Sequence, residues 1–312
     1  MFFPYKVDAE LARWPVVTLF VAFICTVVFW HQQQSNAEFR SALLSFCNGP
    51  GNVDRSTMTV LRTLNVDAHA HPCEVFMQIR NSEDHAVAIQ QLAETSKPMH
   101  LFTQRADEVE YVHDVLDDAY RHFERSLPRS LTEELQYNPQ QLRIKRMITS
   151  SLSHSGWGHL IGNLIFFFAF AASLEVIIGS LLYVPALLLI AIASSLAYSL
   201  TVAGNEHALP TVGLSGVVMG TMTMLATIAP SIRIRCFLWL IFIVRRFSMP
   251  AWWLAVWFLG WNLYDLKTVG EQSHINYAAH IGGGLAGVLL GLLYRWRWAE
   301  QVRAIGVYRP YT

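Results

Sequence analysis

The sequence predicts an all-α membrane protein: six transmembrane helices in one bundle, with a large extracytoplasmic insertion between helices one and two. Three observations carry this. Hydrophobic residues make up 53% of the 312 residues and charged ones only 15%, against about 25% in ordinary soluble domains. Six apolar runs approach bilayer-spanning length, and the polar residues gather in one stretch between the first two. Lys plus Arg equal Asp plus Glu at 23 each, so no overall basic field draws nucleic acid. Four cysteines are too few for a disulfide-dense scaffold. P-loop and C-x-x-C patterns are absent, and the one G-x-G-x-x-G string, Gly282 to Gly287, lies inside an apolar run and follows no strand, which removes the common nucleotide and dithiol chemistries.

The first run covers residues 12–30 and carries no charge from Val16 onward. At 1.5 Å per residue, about 19 residues can cross a hydrocarbon core of about 30 Å. Its small-residue cleavage pattern is poor for a secretory signal, so it reads as a retained span. The other runs are residues 157–178, 181–203, 212–229, 250–266 and 277–294. Residues 236–244 are apolar but too short to span, and Arg233, Arg235, Arg245 and Arg246 bracket them. That segment is expected at the membrane interface. Trp252, Trp253, Trp257 and Trp261 on span five read as an interfacial belt.

Basic residues set the orientation. With the N-terminus inside, the cytoplasmic segments hold Lys6 and Arg13, the four arginines just named, and Arg295, Arg297, Arg303 and Arg309. The opposite short loops hold only Lys267, so both ends are expected in the cytoplasm. Residues 31–144 carry 16 acidic and 10 basic residues, a net charge of −6, which suits export. Within them, residues 107–127 place Val109, Val112, Leu116, Ala119 and Phe123 at helical spacing, and Pro128 ends the pattern. Ser82, Glu83 and Asp84 ahead of residues 86–92 predict a second, N-capped helix. The organisation expected is an N-terminus and first span at 1–30, an extracytoplasmic domain at 31–144, a helical core at 145–297 and a cytoplasmic tail at 298–312.

Polar side chains inside spans are costly and face a bundle interior or a wet cavity. His159 and Asn163 share one face of span two, Gly213-Leu214-Ser215-Gly216 opens span four, and Asn276, Tyr277 and His280 open span six. Spans two, four and six run in the same direction, so these groups lie at similar depth, within about 10 Å of the outer helix ends. A serine and a histidine that meet there form a nucleophile and a general base. The backbone N–H groups at the start of span four, with His159 and Asn163, can stabilise an oxyanion. No Asp or Glu lies near His280 in the spans, which predicts a dyad and not a triad. Gly283, Gly287 and Gly291 on span six, with Gly216 and Gly220 on span four, permit the close helix approach that a Ser215–His280 bond needs.

These residues resemble the rhomboid family of intramembrane serine proteases. The likeness rests on His154-x4-His159-x3-Asn163, Gly213-Leu214-Ser215-Gly216 and Ala279-His280-x2-Gly283-x3-Gly287, in the family's order and on the family's spans. It covers about residues 146–297. It implies hydrolysis of peptide bonds in or beside the membrane, with single-span proteins as substrates and the bilayer as surroundings. Ser215 takes the nucleophile's place and His280 the base's. His159 and Asn163 take oxyanion-hole positions, assisted by the backbone N–H groups of Ser215 and Leu214, and His154 and Glu175 take structural ones. Met219 stands where the family commonly has an aromatic ring against the catalytic histidine. Lys145-Arg146 keeps only the arginine of the family's Trp-Arg pair, and residues 31–144 exceed a minimal family loop.

Two rival readings exist. One is a catalytically silent rhomboid-like escort of membrane proteins, which has no need of both Ser215 and His280. The other is a transporter, whose polar path would continue through the inner halves of the spans, and those are apolar. His69, His71 and Cys73 have metal-ligand identities but no convincing fourth partner, so they read as an exposed loop. No metal or organic cofactor is implied. Cys47 and Cys73 fall on the exported side and are expected to pair. Cys25 and Cys236 are expected to be free. The best-fitting location is a bacterial cytoplasmic membrane.

Overall fold

The structure, a computed structural model, describes the chain except residues 1, 8–12, 50, 65–71, 83, 100–101, 206–207, 241–242, 271–274 and 303–312. Strand β1 (Phe2–Val7) precedes α1 (Val16–Asn48). Five shorter helices and one long one follow before the apolar core: α2 (Arg55–Leu61), α3 (Pro72–Asn81), α4 (His85–Glu94), α5 (Arg105–Ser126), α6 (Leu131–Leu135) and α7 (Ile144–Thr149). The core then runs through α8 (Trp157–Ile178), α9 (Ser180–Thr201), α10 (Ser215–Ile228), β2 (Arg233–Leu240), β3 (Ile243–Pro250), α11 (Ala251–Thr268) and α12 (Tyr277–Arg297). Two compact units result, one of Met1–Gln32 with Leu131–Thr312 and one of Gln33–Ser130.

In the Gln33–Ser130 unit the amphipathic pattern becomes α5, whose Val112, Leu116 and Phe123 are wholly buried among Val60, Ile79 and Ala93. Asp84 caps α4, its carboxylate accepting from Ala86 N at 2.9 Å and Val87 N at 3.2 Å. Cys47 and Cys73 form a disulfide, while Cys25 and Cys236 are free and buried. His69 and His71 lie outside the described residues.

Among the described residues, α1, α8, α9 and α12 are long and apolar enough to cross a membrane. Helix α10 has only 14 residues, though it is apolar, and α11 is diluted by four tryptophans, Asn262, Asp265 and Lys267. The all-helical expectation needs one correction. Residues 236–240 and 243–244 belong to the antiparallel strands β2 and β3, and β1 pairs antiparallel with β2 to complete a three-stranded sheet. Its period-two pattern explains why: Ile234 and Cys236 are fully buried while Arg233 and Arg235 are exposed, the alternation of a half-covered strand.

The bundle is organised by its glycines and by a few buried hydrogen bonds. Helices α10 and α12 meet backbone to backbone, since a Cβ at Gly283 would fall on the Gly216 carbonyl and one at Gly287 on the Gly220 carbonyl. Thr223 Oγ1 donates to Gly284 O at 2.7 Å across the same contact. Ser194 Oγ donates to Ala279 O at 2.8 Å and ties α9 to α12. Glu175, near the end of α8, accepts from Val17 N, Thr18 N, Thr18 Oγ1 and Ser180 Oγ at 2.7–2.9 Å. It thereby caps the start of α1, where helix N–H groups lack internal partners. The sheet gathers Lys6 and the β2–β3 arginines just past the C-terminus of α10, and Arg295 Nη1 reaches Thr227 O there at 2.9 Å. The basic segments therefore collect at one end of the bundle, with the starts of α10 and α12 at the other.

Candidate active site

Three local structures set Ser215 in place. Tyr137 and Thr211 exchange two backbone hydrogen bonds of 2.9 and 3.0 Å, and Gly213 N donates to Ser150 O at 2.9 Å. Gly213 then turns the chain at φ +128°, a region that strongly favours glycine. A Cβ there would stand 2.7 Å from the His159 ring, so the loop also needs glycine for space. Helix α10 begins immediately afterward at Ser215, with Leu214 as its cap residue.

On α12, Asn276 caps the helix by accepting from Ala279 N at 2.9 Å, and His280 follows one turn in. The glycine contact brings its ring to Ser215, with Nε2 and Oγ 2.7 Å apart. On α8, His159 Nδ1 lies 2.9 Å from Ser155 Oγ. With that hydroxyl donating, Nε2 carries the proton and presents an N–H beside Gly213. Asn163, one turn further along α8, is buried, and among the described residues its Nδ2 has no hydrogen-bond partner.

A cavity of about 370 Å³ opens over Ser215, His280 and His159. Ser150, Ser155, His159, Asn276, Ser215 and His280 are among its lining residues, so it is rich in hydroxyls and imidazoles. The structure brings together Ser215, His280, His159, Asn163 and the Leu214–Ser215 backbone. His154 packs edge-on against His159 at 5.2 Å, and Gln32 Oε1 accepts from its backbone N at 3.1 Å. Glu175 is elsewhere, three turns beyond Asn163 on α8, holding α1. Among the described residues no group of three His, Cys, Asp or Glu could hold a metal.

One residue escaped the sequence reading. Asn262 on α11 places its Oδ1 2.6 Å from His280 Nδ1. A search for carboxylates near His280 passes over an amide, and Asn262 lies in the less apolar half of its helix. Its only sequence signal is a strongly polar side chain within a candidate span.

The family model described as Rhomboid domain matches residues 141–297, half of the chain. The chain belongs to the rhomboid family. It is a mostly helical, multi-pass membrane protein of that family. No curated protein and no solved structure matches the chain. The rhomboid match covers α7 through α12, together with the loops that carry Gly213 and Asn276.

Proposed function

We propose that this rhomboid-family protein is an intramembrane serine endopeptidase that cuts peptide bonds in or next to the membrane spans of other proteins. The observation that carries the reading is the 2.7 Å approach of Ser215 Oγ to His280 Nε2 beside a cavity that several serines and two histidines help to line, within an apolar bundle. Nε2 takes the hydroxyl proton as Oγ attacks the peptide carbonyl carbon. The oxyanion meets backbone N–H groups at the start of α10, with His159 Nε2–H and Asn163 Nδ2 as side-chain donors. The imidazolium gives its proton to the departing amine, and a water then repeats the cycle on the acyl-enzyme.

In this reading α1, α8, α9, α10, α11 and α12 are the six spans, and residues 31–144 form an extracytoplasmic insertion. The shortness of α10 fits, because its residues from Gly216 to Leu225 are all buried and need not match the bilayer. The common basic end supports a cytoplasmic placement of both termini, in a bacterial inner membrane. Substrates are single-span proteins held in the same bilayer, and the chemistry needs no cofactor and no nucleic acid.

The test is cleavage of a single-span reporter by purified protein in detergent, with Ser215→Ala and His280→Ala alongside. Cleavage by the unaltered chain that both substitutions abolish is expected. Equal cleavage by all three, or reporters bound by all and cut by none, overturns the reading; the latter outcome makes the protein an escort.

A further inference from the structure

We propose that Asn262 is a positioning residue for His280: its side-chain carbonyl holds the Nδ1–H of the imidazole and so leaves Nε2 bare to accept the Ser215 proton. The inference rests on the serine-protease reading and adds a third helix, α11, to its working parts.

The argument starts from donor chemistry. An amide oxygen only accepts, so the 2.6 Å contact between Asn262 Oδ1 and His280 Nδ1 requires the proton to be on Nδ1. In a neutral imidazole Nε2 then carries the lone pair, and Nε2 is the atom 2.7 Å from Ser215 Oγ. An asparagine beside a catalytic histidine helps only in one orientation. If its NH2 faced the ring, the ring would take the opposite tautomer and lose its basic nitrogen toward serine.

Here the orientation is fixed from behind. Asn262 Nδ2 donates to Phe258 O, one turn back on α11, at 2.7 Å. Reversing the amide would set its carbonyl oxygen against the Phe258 carbonyl oxygen. Helix geometry and hydrogen-bond polarity thus select the productive face without a charge. An amide does this more cheaply than a carboxylate inside a span, where an ionised group is expensive. Tyr277 adds an edge-to-face contact with His280 at 6.4 Å.

Two measurements on the full chain in detergent micelles test it. In the first, ring nitrogens of 15N-histidine-labelled protein are observed at neutral pH, with His280 assigned by its loss in His280→Ala. The Nδ1–H tautomer is expected in the unaltered chain, and Asn262→Leu should lose it. In the second, reporter cleavage by Asn262→Leu is expected to show kcat reduced about 10- to 100-fold, with KM within about twofold. The near-isosteric Asn262→Asp, which keeps an acceptor, should restore most of that loss.

An Nε2–H tautomer in the unaltered chain overturns the proposal. So does Asn262→Leu with unchanged tautomer and kcat, or with only KM changed, or Asn262→Asp no better than Asn262→Leu. If the unaltered chain cuts nothing, the protease reading fails by itself, and the tautomer still decides whether Asn262 orients His280.

Discussion

Replacing Gly283 by alanine adds one methyl group at the tightest point of the α10–α12 contact. The new Cβ would stand 2.8 Å from the Gly216 carbonyl carbon and closer still to its oxygen, whereas ordinary contact begins at 3.4 Å. Its obstacle is helix backbone, so the helices must part by at least about 0.6 Å, the difference between those distances. Gly216 adjoins Ser215, and His280 lies one turn before Gly283. The separation therefore acts directly on the 2.7 Å Ser215–His280 bond and carries it to about 3.3 Å, beyond the usual range for hydroxyl donors. Misplacement approaching 1 Å costs up to about 100-fold in rate, or about 2.7 kcal/mol of barrier. Overpacking costs a further 1 to 3 kcal/mol of stability, roughly. Reporter cleavage under saturating substrate reads the first effect and thermal unfolding in detergent the second. Gly260→Ala is the control, because a Cβ there meets nothing within 4 Å and should leave the rate unchanged. A Gly283→Ala protein that cuts within threefold of the unaltered chain, roughly, would refute the claim that glycine contact sets the distance between Ser215 and His280.

Three other outcomes are expected. Glu175→Ala removes the acceptor of four hydrogen bonds and strands Val17 N and Thr18 N at the start of α1; the unfolding midpoint should fall with a loss of about 3 kcal/mol, and an unchanged midpoint contradicts the capping role. Cys73→Ser opens a disulfide between residues 26 apart in sequence, about 3.5 kcal/mol on the chain-entropy account, so residues 33–130 should become sensitive to trypsin as the reduced protein does; equal resistance contradicts it. Asp54 caps α2, and hydrogen bonds from Ser56 first and then Thr57 hold its carboxyl below the ordinary 3.8. A depressed folded pKa means that its contribution is present above that ordinary value and is lost as pH falls through the folded one. Asp54→Ala should therefore cost about 1 kcal/mol at pH 7 and little once the carboxyl is protonated, as hydrogen exchange across α2 would record.

Much of the bundle is legible in the sequence because a membrane simplifies the code. Apolar runs near 20 residues mark helices, and the ends of the runs at 157 and 277 coincide with the starts of α8 and α12. The buried stripe of α5 follows from ordinary amphipathic spacing, and the start of α4 from the run Ser82, Glu83 and Asp84, of which Asp84 is the cap. The strand pair β2–β3 was hidden for a physical reason. Nine apolar residues between arginine pairs look interfacial whatever their backbone does, and the deciding alternation, Arg233, Ile234, Arg235, Cys236, lies partly outside the apolar run. The pairing of β1 with β2 joins segments more than 220 residues apart, which no local pattern encodes.

The site divides along the same line. Ser215, His280, His159 and Asn163 stand out because each is a polar side chain in an apolar run, and orientation alone puts them at one depth. Asn262 differs because its helix already looks polar, with Asp265 and Lys267 close behind it. What makes it notable is the direction of its amide, set by a bond to Phe258 O, and amide direction leaves no trace in a list of residues. The glycines lie between these cases. Their spacing announces that two helices come close, but only the backbone contacts of Gly216 with Gly283 and of Gly220 with Gly287 say which helices and in which register. That register puts His280 opposite Ser215; sliding α12 by one turn along α10 would put either Tyr277 or the side-chain-free Gly284 near the hydroxyl instead. In the proposed reading, the chemistry at the start of α10 depends on a packing choice made several residues deeper, and on a third helix whose Asn262 faces the far side of the imidazole.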